Sequence, residues 1–172
     1  RLENQVQVLT AEAIRAKELG LENQRLRSLL DFRRARPELR GVGAHVIGLD
    51  VSPYARVVRV ALDVGATDGV QEGMPVLAFD GLVGRVRQVA SGYAEVMLTV
   101  DARSSVSVLV AGKGVTGTME GSGSQDSYRG RLLFLHKGKP LEVGDSLVTS
   151  GHDRVFPPGI EVGYIHSLTE RQ

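Results

Sequence analysis

A length of 172 residues allows one domain, or a helix with two small domains, and 42% hydrophobic and 24% charged residues are ordinary for a folded soluble protein. The net charge of +1 gives no support for a nucleic-acid partner. The absence of cysteine excludes disulfides and thiolate metal sites, and no apolar run is long enough to span a membrane.

The first predicted element is a helix over residues 1–36, which Pro37 ends. Its apolar and small residues mostly recur in alternating steps of four and three, with one extra step of three. This spacing places them on a stripe that is narrower than the face of a globular core and is typical of a coiled-coil seam. The seam consists of Leu2, Val6, Leu9, Ala13, Ala16, Leu19, Asn23, Leu26 and Leu30.

Asn23 occupies a seam position where an apolar residue is usual. Asparagine at such a position lowers stability but favours one register and the parallel dimer, so the pattern predicts a homodimer. The alternative is a single helix that packs against its own domain and leaves the Asn23 amide exposed. A basic cluster from Arg25 to Arg40 suits the C-terminal end of a helix electrostatically, and a polybasic contact with a membrane is a weaker alternative.

Beyond Gly41 the composition changes to short β-branched runs between glycines, which predicts an all-β region. The Asp80-Gly81 pair between two apolar runs predicts a hairpin with a type I′ turn. The predicted strands are 44–49, 56–62, 74–79, 82–89 and 95–100 in a first set, and 105–110, 115–120, 129–135, 146–150 and 160–166 in a second.

The two sets of strands meet near Asp101. Short strands in this number tend to curl into small closed barrels, since closure removes exposed edges. We therefore predict a mainly β protein in which a coiled-coil helix (1–36) precedes a first β-barrel domain (41–100) and a second (101–168).

One run combines Ser150, His152 and Asp153, the residue types of a catalytic triad. A triad is assembled from residues that are distant in sequence, and a serine and a histidine two positions apart on a glycine turn seldom reach the required geometry. We therefore favour a simple loop between strands and predict no catalytic residues.

Metal and cofactor sites are not indicated either. His45 and His166 fall within apolar predicted strands, His136 and His152 lie near turns, and none has the paired spacing of a zinc site. No glycine-rich phosphate loop follows a strand, and aromatic residues are too few for a single-strand nucleic-acid platform. The pattern indicates a binding or scaffold module that is held in pairs.

Six phrases, in order along the chain, resemble the extracytoplasmic region of the MreC family of rod shape-determining proteins. Each phrase alone is a weak indication of the family, but the six together are specific to it. They span residues 22–32, 44–48, 69–76, 80–86, 144–151 and 156–163.

The resemblance implies a single membrane helix, a coiled coil and two small β-barrels outside the cytoplasmic membrane, the barrels being similar to those of chymotrypsin-like proteases but without a triad. It implies a non-catalytic scaffold of the complex that builds side-wall peptidoglycan, with no cofactor. The implied partners are penicillin-binding protein 2, RodA, MreD and the MreB filaments, and family members also self-associate. The membrane is contacted only through the anchor.

Two departures from the family pattern follow. The chain starts at Arg1 inside a helical pattern, so we expect it to be part of a longer protein whose anchor lies upstream. The first barrel is expected to lack a closing strand, which would follow Gln172. Two other functions stay open: a serine-type hydrolase on a double barrel, and a periplasmic adaptor of an efflux or secretion assembly, which usually needs two antiparallel helical arms.

Overall fold

The computed structural model describes residues 2–37, 39–52, 57–124, 128–133 and 139–169. Residues 1–41 and 42–172 form two compact units. The fold is mainly β with an N-terminal helix, as the sequence predicts. No helix of the described residues is both long and apolar enough to cross a membrane.

The first unit is the helix α1, Leu2–Ala35, which is continuous through Gly20. It ends two residues before Pro37, in agreement with the predicted end, because proline disfavours helical backbone in the residue before it. Arg33 and Arg34 occupy the last turn, where positive charge faces the negative end of the helix dipole. On the helix surface Glu22 and Arg25 form an ion pair at 2.7 Å.

The second unit contains two antiparallel five-stranded sheets. The first sheet has the order β1-β2-β5-β4-β3 and the second has the order β10-β9-β6-β7-β8. The strands of the first sheet are β1 (Val46–Ser52), β2 (Val57–Leu62), β3 (Pro75–Ala78), β4 (Gly81–Val89) and β5 (Ala94–Leu98), and those of the second are β6 (Ser105–Val110), β7 (Val115–Gly121), β8 (Gly130–Leu133), β9 (Ser146–Thr149) and β10 (Glu161–Tyr164).

The alternation of polar and apolar residues decides which face of each strand is buried. In β6 the side chains of Val106, Val108 and Val110 are almost completely buried, while Ser105 is exposed and Ser107 is half-buried. Each fully buried valine contributes roughly 1.5–3 kcal/mol relative to an exposed one. Val110 belongs to one core cluster with Val115, Leu147 and Ile165, and the first sheet has its own cluster around Val70, Val86 and Ala94.

The link between the sheets is a tight turn around Asp101, which is fully buried. The Asp101 carboxylate accepts hydrogen bonds from Nε and Nη2 of Arg103, both at 3.0 Å, and from the Arg103 backbone N–H at 2.9 Å. The Gly123 N–H donates to the Val100 carbonyl at 2.8 Å. Because a Cβ on Gly121 would overlap the Val100 and Asp101 carbonyl groups, only glycine fits where β7 ends.

A second contact between the sheets joins Gly81, at the start of β4, to Glu161, at the start of β10. A Cβ on Gly81 would overlap the Glu161 carbonyl group, and the Gly81 φ of 149° favours glycine independently. The backbone of β10 therefore lies directly against β4 of the other sheet.

Each of the ten predicted strands overlaps one observed strand, and the two sheets lie on either side of Asp101. Whether the two sets are independent barrel domains stays a prediction. Some predicted features lie outside the described residues. They are the turn residues Pro53 and Tyr54, the start of the second predicted strand at Arg56 and the end of the eighth predicted strand.

The predicted hairpin at Asp80-Gly81 is confirmed, but the prediction of a type I′ turn is wrong. Ala78 pairs with Gly81, so the loop residues are Phe79 and Asp80, and Asp80 does not have a positive φ. Gly81 is instead the first residue of β4, where its missing Cβ admits the Glu161 backbone.

A polar cluster fastens the turn before β9 to the turn between β6 and β7. The Lys113 Nζ lies 2.9 Å from the Asp145 carboxylate and donates to the Pro140 carbonyl at 2.8 Å. The Asp145 carboxylate also accepts a hydrogen bond from the Glu142 N–H at 2.8 Å. These contacts hold the pKa of Asp145 below its ordinary value. The hydrogen bond from the Glu142 N–H is the larger cause, and the Lys113 ammonium is the second.

Substitution of Gly81 by alanine tests the contact between the sheets. We expect Gly81→Ala to lower the free energy of unfolding by about 2 kcal/mol or more, since the Cβ meets backbone that cannot move alone. Gly92→Ala is the matched control, because its Cβ would enter open space, and it should change the free energy by less than about 0.5 kcal/mol. Equal urea midpoints for both variants would contradict the contact.

The Asp145 cluster predicts a specific loss of stability in acid. A carboxyl group whose pKa is lowered by folding stabilises the protein above its unfolded pKa of about 3.9 and loses this contribution as the pH falls through the lower folded pKa. We expect the stability difference between wild type and Asp145→Asn to shrink as the pH falls from 5 to below about 3, in urea titrations at each pH. A difference that does not change with pH would contradict the prediction.

Candidate functional site

The Ser150–Asp153 run does not assemble a catalytic triad. The Ser150 hydroxyl lies 2.7 Å from the Ser107 hydroxyl and accepts a hydrogen bond from the His152 backbone N–H at 3.2 Å. The Asp153 carboxylate accepts hydrogen bonds from the backbone N–H groups of Ser107, Val155 and Phe156 at 3.0–3.3 Å. In the described part of the chain the exposed His152 ring has no hydrogen bond to either side chain, so these residues organise a loop.

The histidines show no metal constellation. His45 and His166 lie just outside β1 and β10, so the prediction that they are strand residues is wrong. His45 Nδ1 lies 2.9 Å from the Asp63 carboxylate. The pKa of Asp63 is lowered mainly by the hydrogen bond from the His45 backbone N–H, and less by the His45 ring. His166 Nε2 lies 3.4 Å from Arg129. Among the described residues no three potential metal ligands cluster, and His136 lies outside them.

A concave surface of the β unit, a groove of about 520 Å³, lies where the two sheets meet. We call it the inter-sheet groove. One wall is the start of β4 and the end of β5, and the other is β10. Its lining residues are Asp80, Gly81, Leu82, Val83, Leu98, Thr99, Val100, Tyr128, Glu161, Val162, Gly163 and Tyr164.

Large aromatic side chains surround the inter-sheet groove and are left in solvent. Tyr164 is 69% exposed and Tyr128 is 79% exposed. Phe79, in the hairpin loop directly before the groove residue Asp80, is 60% exposed. Exposed aromatic side chains are enriched at protein-binding surfaces, because they bury a large area with few rotatable bonds. The groove therefore suits a protein segment better than a small substrate.

The backbone contacts of the two sheets hold the groove in shape. Gly81 fixes the distance between β4 and β10 at one end, and the hydrogen bond from the Thr99 N–H to the Val83 carbonyl, at 3.0 Å, extends the pairing of β4 and β5 beneath the other wall. Gly163 lies at a register shift of β10 with a φ of 154°. Such a bulge turns a strand and re-aims its side chains.

The predicted seam residues all lie on α1. Val6, Leu9, Leu19, Leu26 and Leu30 are 47–64% exposed, and Asn23 is exposed as well. Leu2 begins the helix. These residues form an apolar stripe on a long helix, and their pairing with a second copy stays a prediction.

Sequence reasoning missed the inter-sheet groove as a site. Its two walls come from segments about 80 positions apart, near Gly81 and Tyr164, and no local pattern reports that they touch. The available signal was glycine inside strands, since Gly81 and Gly163 stand where close backbone approach or a bulge is typical.

These features define the class of protein: a helix followed by a β module with a groove between its two sheets and no assembled catalytic or metal site among the described residues. A family model, "Rod shape-determining protein MreC, barrel core", matches residues 46–172. The chain belongs to the MreC family.

Curated relatives agree with this assignment. The cell shape-determining protein MreC of Caulobacter vibrioides is 35% identical over 87% of this chain, and that of Escherichia coli is 35% identical over 86%. The matched regions are 41% and 39% of those two proteins, so the chain spans about two fifths of their length.

Solved structures share the fold. A structure titled "MreC" is 33% identical, covers 87% of this chain and 82% of its own, and has a TM-score of 0.77. The MreC of Helicobacter pylori, solved in a complex with penicillin-binding protein PBP2, has a TM-score of 0.55, with coverage of 72% and 75%. A structure titled as the major periplasmic domain of MreC has a TM-score of 0.61, with coverage of 74% and 81%. The last two are 20% and 23% identical, which establishes a common fold.

Proposed function

We propose that this chain is a non-catalytic scaffold of the bacterial cell-elongation complex, which helps determine rod shape by binding and regulating the machinery of side-wall peptidoglycan synthesis. Membership of the MreC family supports the proposal. The observation that carries it is the inter-sheet groove with its exposed aromatic rim. We place the chain on the extracytoplasmic face of the cytoplasmic membrane, in accordance with the periplasmic domain of its structural neighbour.

The alternatives have less support. A serine hydrolase needs a base that contacts the nucleophile, whereas the hydroxyl of Ser150 contacts Ser107 and the carboxylate of Asp153 contacts backbone N–H groups. A periplasmic adaptor usually has two antiparallel helical arms, and the described residues contain the one long helix α1. We therefore propose that the chain transforms no substrate.

We propose that the inter-sheet groove binds the elongation transpeptidase, penicillin-binding protein 2. The complex of the Helicobacter pylori neighbour with PBP2 supports this choice. A scaffold activates a transpeptidase only if it binds the active form more tightly than the inactive form. A difference of about 1.4 kcal/mol between the two forms would change their ratio tenfold. RodA, MreD and the MreB filaments are further partners that we infer from the family.

We propose that α1 forms a parallel homodimeric coiled coil through Leu2, Val6, Leu9, Leu19, Asn23, Leu26 and Leu30. The exposure of Val6, Leu9, Leu19, Leu26 and Leu30 supports pairing, since a water-exposed row of leucine and valine is stabilised by burial. Pairing would join two grooves in one dimer. The effective concentration of the second groove would then strengthen two weak contacts with the transpeptidase.

We also propose that each five-stranded sheet is the main part of a small β-barrel. The edge strand β1 supports this for the first sheet, because Val46, Ile47 and Leu49 are 62–65% exposed. An apolar edge of this kind is usually covered, and closure of a barrel would cover it.

The dimer can be tested by sedimentation equilibrium on this chain and on residues 42–172, which form a compact unit without the helix. We expect a dimer for the whole chain and a monomer for the β unit. Asn23→Leu should raise the melting temperature of the helix and allow species larger than a dimer, because the polar residue that selects the dimer is gone. A monomeric chain at high concentration, with assembly and helicity unchanged in Asn23→Leu, would overturn the coiled coil.

The docking surface can be tested by measuring the affinity of the whole chain for the periplasmic region of its own penicillin-binding protein 2. We expect Tyr164→Ala and Tyr128→Ala each to weaken the Kd about tenfold or more, because a truncated interface aromatic commonly loses above 1 kcal/mol. Tyr93→Ala is the matched control, since Tyr93 is 46% exposed in the β4–β5 turn and does not line the groove.

Tyr93→Ala should bind normally, and all three variants should melt at the wild-type temperature. Equal weakening by all three variants would contradict the proposed surface. So would full affinity for a peptide of residues 1–36.

A further inference from the structure

A second concave surface lies on β4 and β5, and it shares no residue with the inter-sheet groove. We call it the arginine cleft. Its volume is about 390 Å³, and it is lined by Glu72, Gly73, Arg85, Val86, Arg87, Met97 and Arg103. Three arginines and one glutamate therefore line the cleft, with Met97 between the strands.

The register of the first sheet explains why positive charge is concentrated there. Arg59 of β2 and Arg85 of β4 are both paired with Met97 of β5, so the three lie in one row across three strands. Met97 is only 5% exposed between its two long neighbours. The register shift after Val86 makes Arg87 the additional residue of a bulge, which brings a further basic side chain to the cleft.

Two of the arginines of the cleft lack a counter-charge. Arg59 is paired with Glu95 at 3.4 Å, and Arg103 is held by Asp101 at 3.0 Å. Within the described ranges Arg85 and Arg87 form no ion pair. The Nε of Arg59, in the same row, is buried without a hydrogen-bond acceptor in that part of the chain. Uncompensated like charges at a concave surface attract a negatively charged group.

The chemistry of the cleft selects among anions. A phosphate site usually offers free backbone N–H groups, but the Gly73 N–H donates to the Val86 carbonyl and the Val86 N–H donates to the Met74 carbonyl, both at 2.8 Å. Residues 41–172 have a net charge of −2, which disfavours an anionic membrane surface as well.

We propose that the arginine cleft binds a carboxylate-bearing protein segment, in which acidic side chains contact Arg85 and Arg87 and an apolar side chain between them covers Met97. The planar guanidinium group matches the geometry of a carboxylate in two parallel hydrogen bonds. Met97, which lies between the arginines, accounts for the intervening apolar residue. This site shares no residue with the inter-sheet groove.

The experiment uses two blocked pentapeptides as probes, Gly-Glu-Leu-Glu-Gly and its neutral counterpart Gly-Gln-Leu-Gln-Gly, added to the whole chain. The Nε–H resonances of the arginines are followed by NMR at low salt. We expect the glutamate peptide to shift the resonances of Arg85 and Arg87 saturably, and its affinity to fall with added salt. The glutamine peptide should bind about tenfold more weakly or not at all.

The double variant Arg85→Gln and Arg87→Gln should weaken binding of the glutamate peptide about tenfold or more. Arg131→Gln is the control, since Arg131 is exposed on β8 of the other sheet, and it should leave binding unchanged. The proposal is overturned if both peptides bind equally, if neither shifts Arg85 and Arg87, or if inorganic phosphate or phosphatidylglycerol vesicles bind more tightly at these arginines than the glutamate peptide does.

Discussion

The close approach of β10 to Gly81 is the constraint on which the candidate site depends. Two sheets that met through side chains would be separated by a packed layer, and no open groove would lie between their edges. Here the carbonyl group of Glu161 occupies the place of a missing Cβ, so the two backbones meet at one end of the groove. The buried turn at Asp101 fixes the covalent link between the same sheets. The groove is what these two fixed points leave open.

This arrangement leaves aromatic and apolar side chains exposed on the described surface, whereas polar side chains hold its loops. The polar groups that could have formed a catalytic centre are used to hold loops, since Asp153 binds backbone N–H groups and Asp101 binds Arg103. The aromatic residues Phe79, Tyr128 and Tyr164 are left in solvent, as are several apolar residues of α1, such as Leu9 and Leu19. A protein that exposes such side chains is expected to have partners that cover them.

Local sequence patterns were sufficient for the helix and for the approximate positions of the ten strands. Pro37 ends α1 as predicted, and alternation in the run from Ser105 to Val110 gives both β6 and its buried face. The same patterns mispredicted the type of turn at Asp80-Gly81. A glycine after aspartate can provide a positive φ in a turn, or it can leave space for the backbone of another strand. Only the tertiary contact with Glu161 distinguishes these two roles.

The groove and the arginine cleft could not be predicted for a related reason. The groove joins β4 to β10, and the cleft depends on Arg59 and Arg85 sharing a partner in Met97, which follows from register and not from spacing along the chain. Resemblance supplied what pattern could not, namely membership of the MreC family, and the family match confirms it.

Hydrogen–deuterium exchange of the whole chain, with and without the periplasmic region of penicillin-binding protein 2, tests the central claim most directly. The account predicts that the transpeptidase slows exchange at residues 79–83, 98–100 and 161–164, which form the two walls of the groove, and leaves the loop at 150–156 unchanged. Slower exchange confined to α1, or to the loop that contains Ser150 and His152, would contradict it.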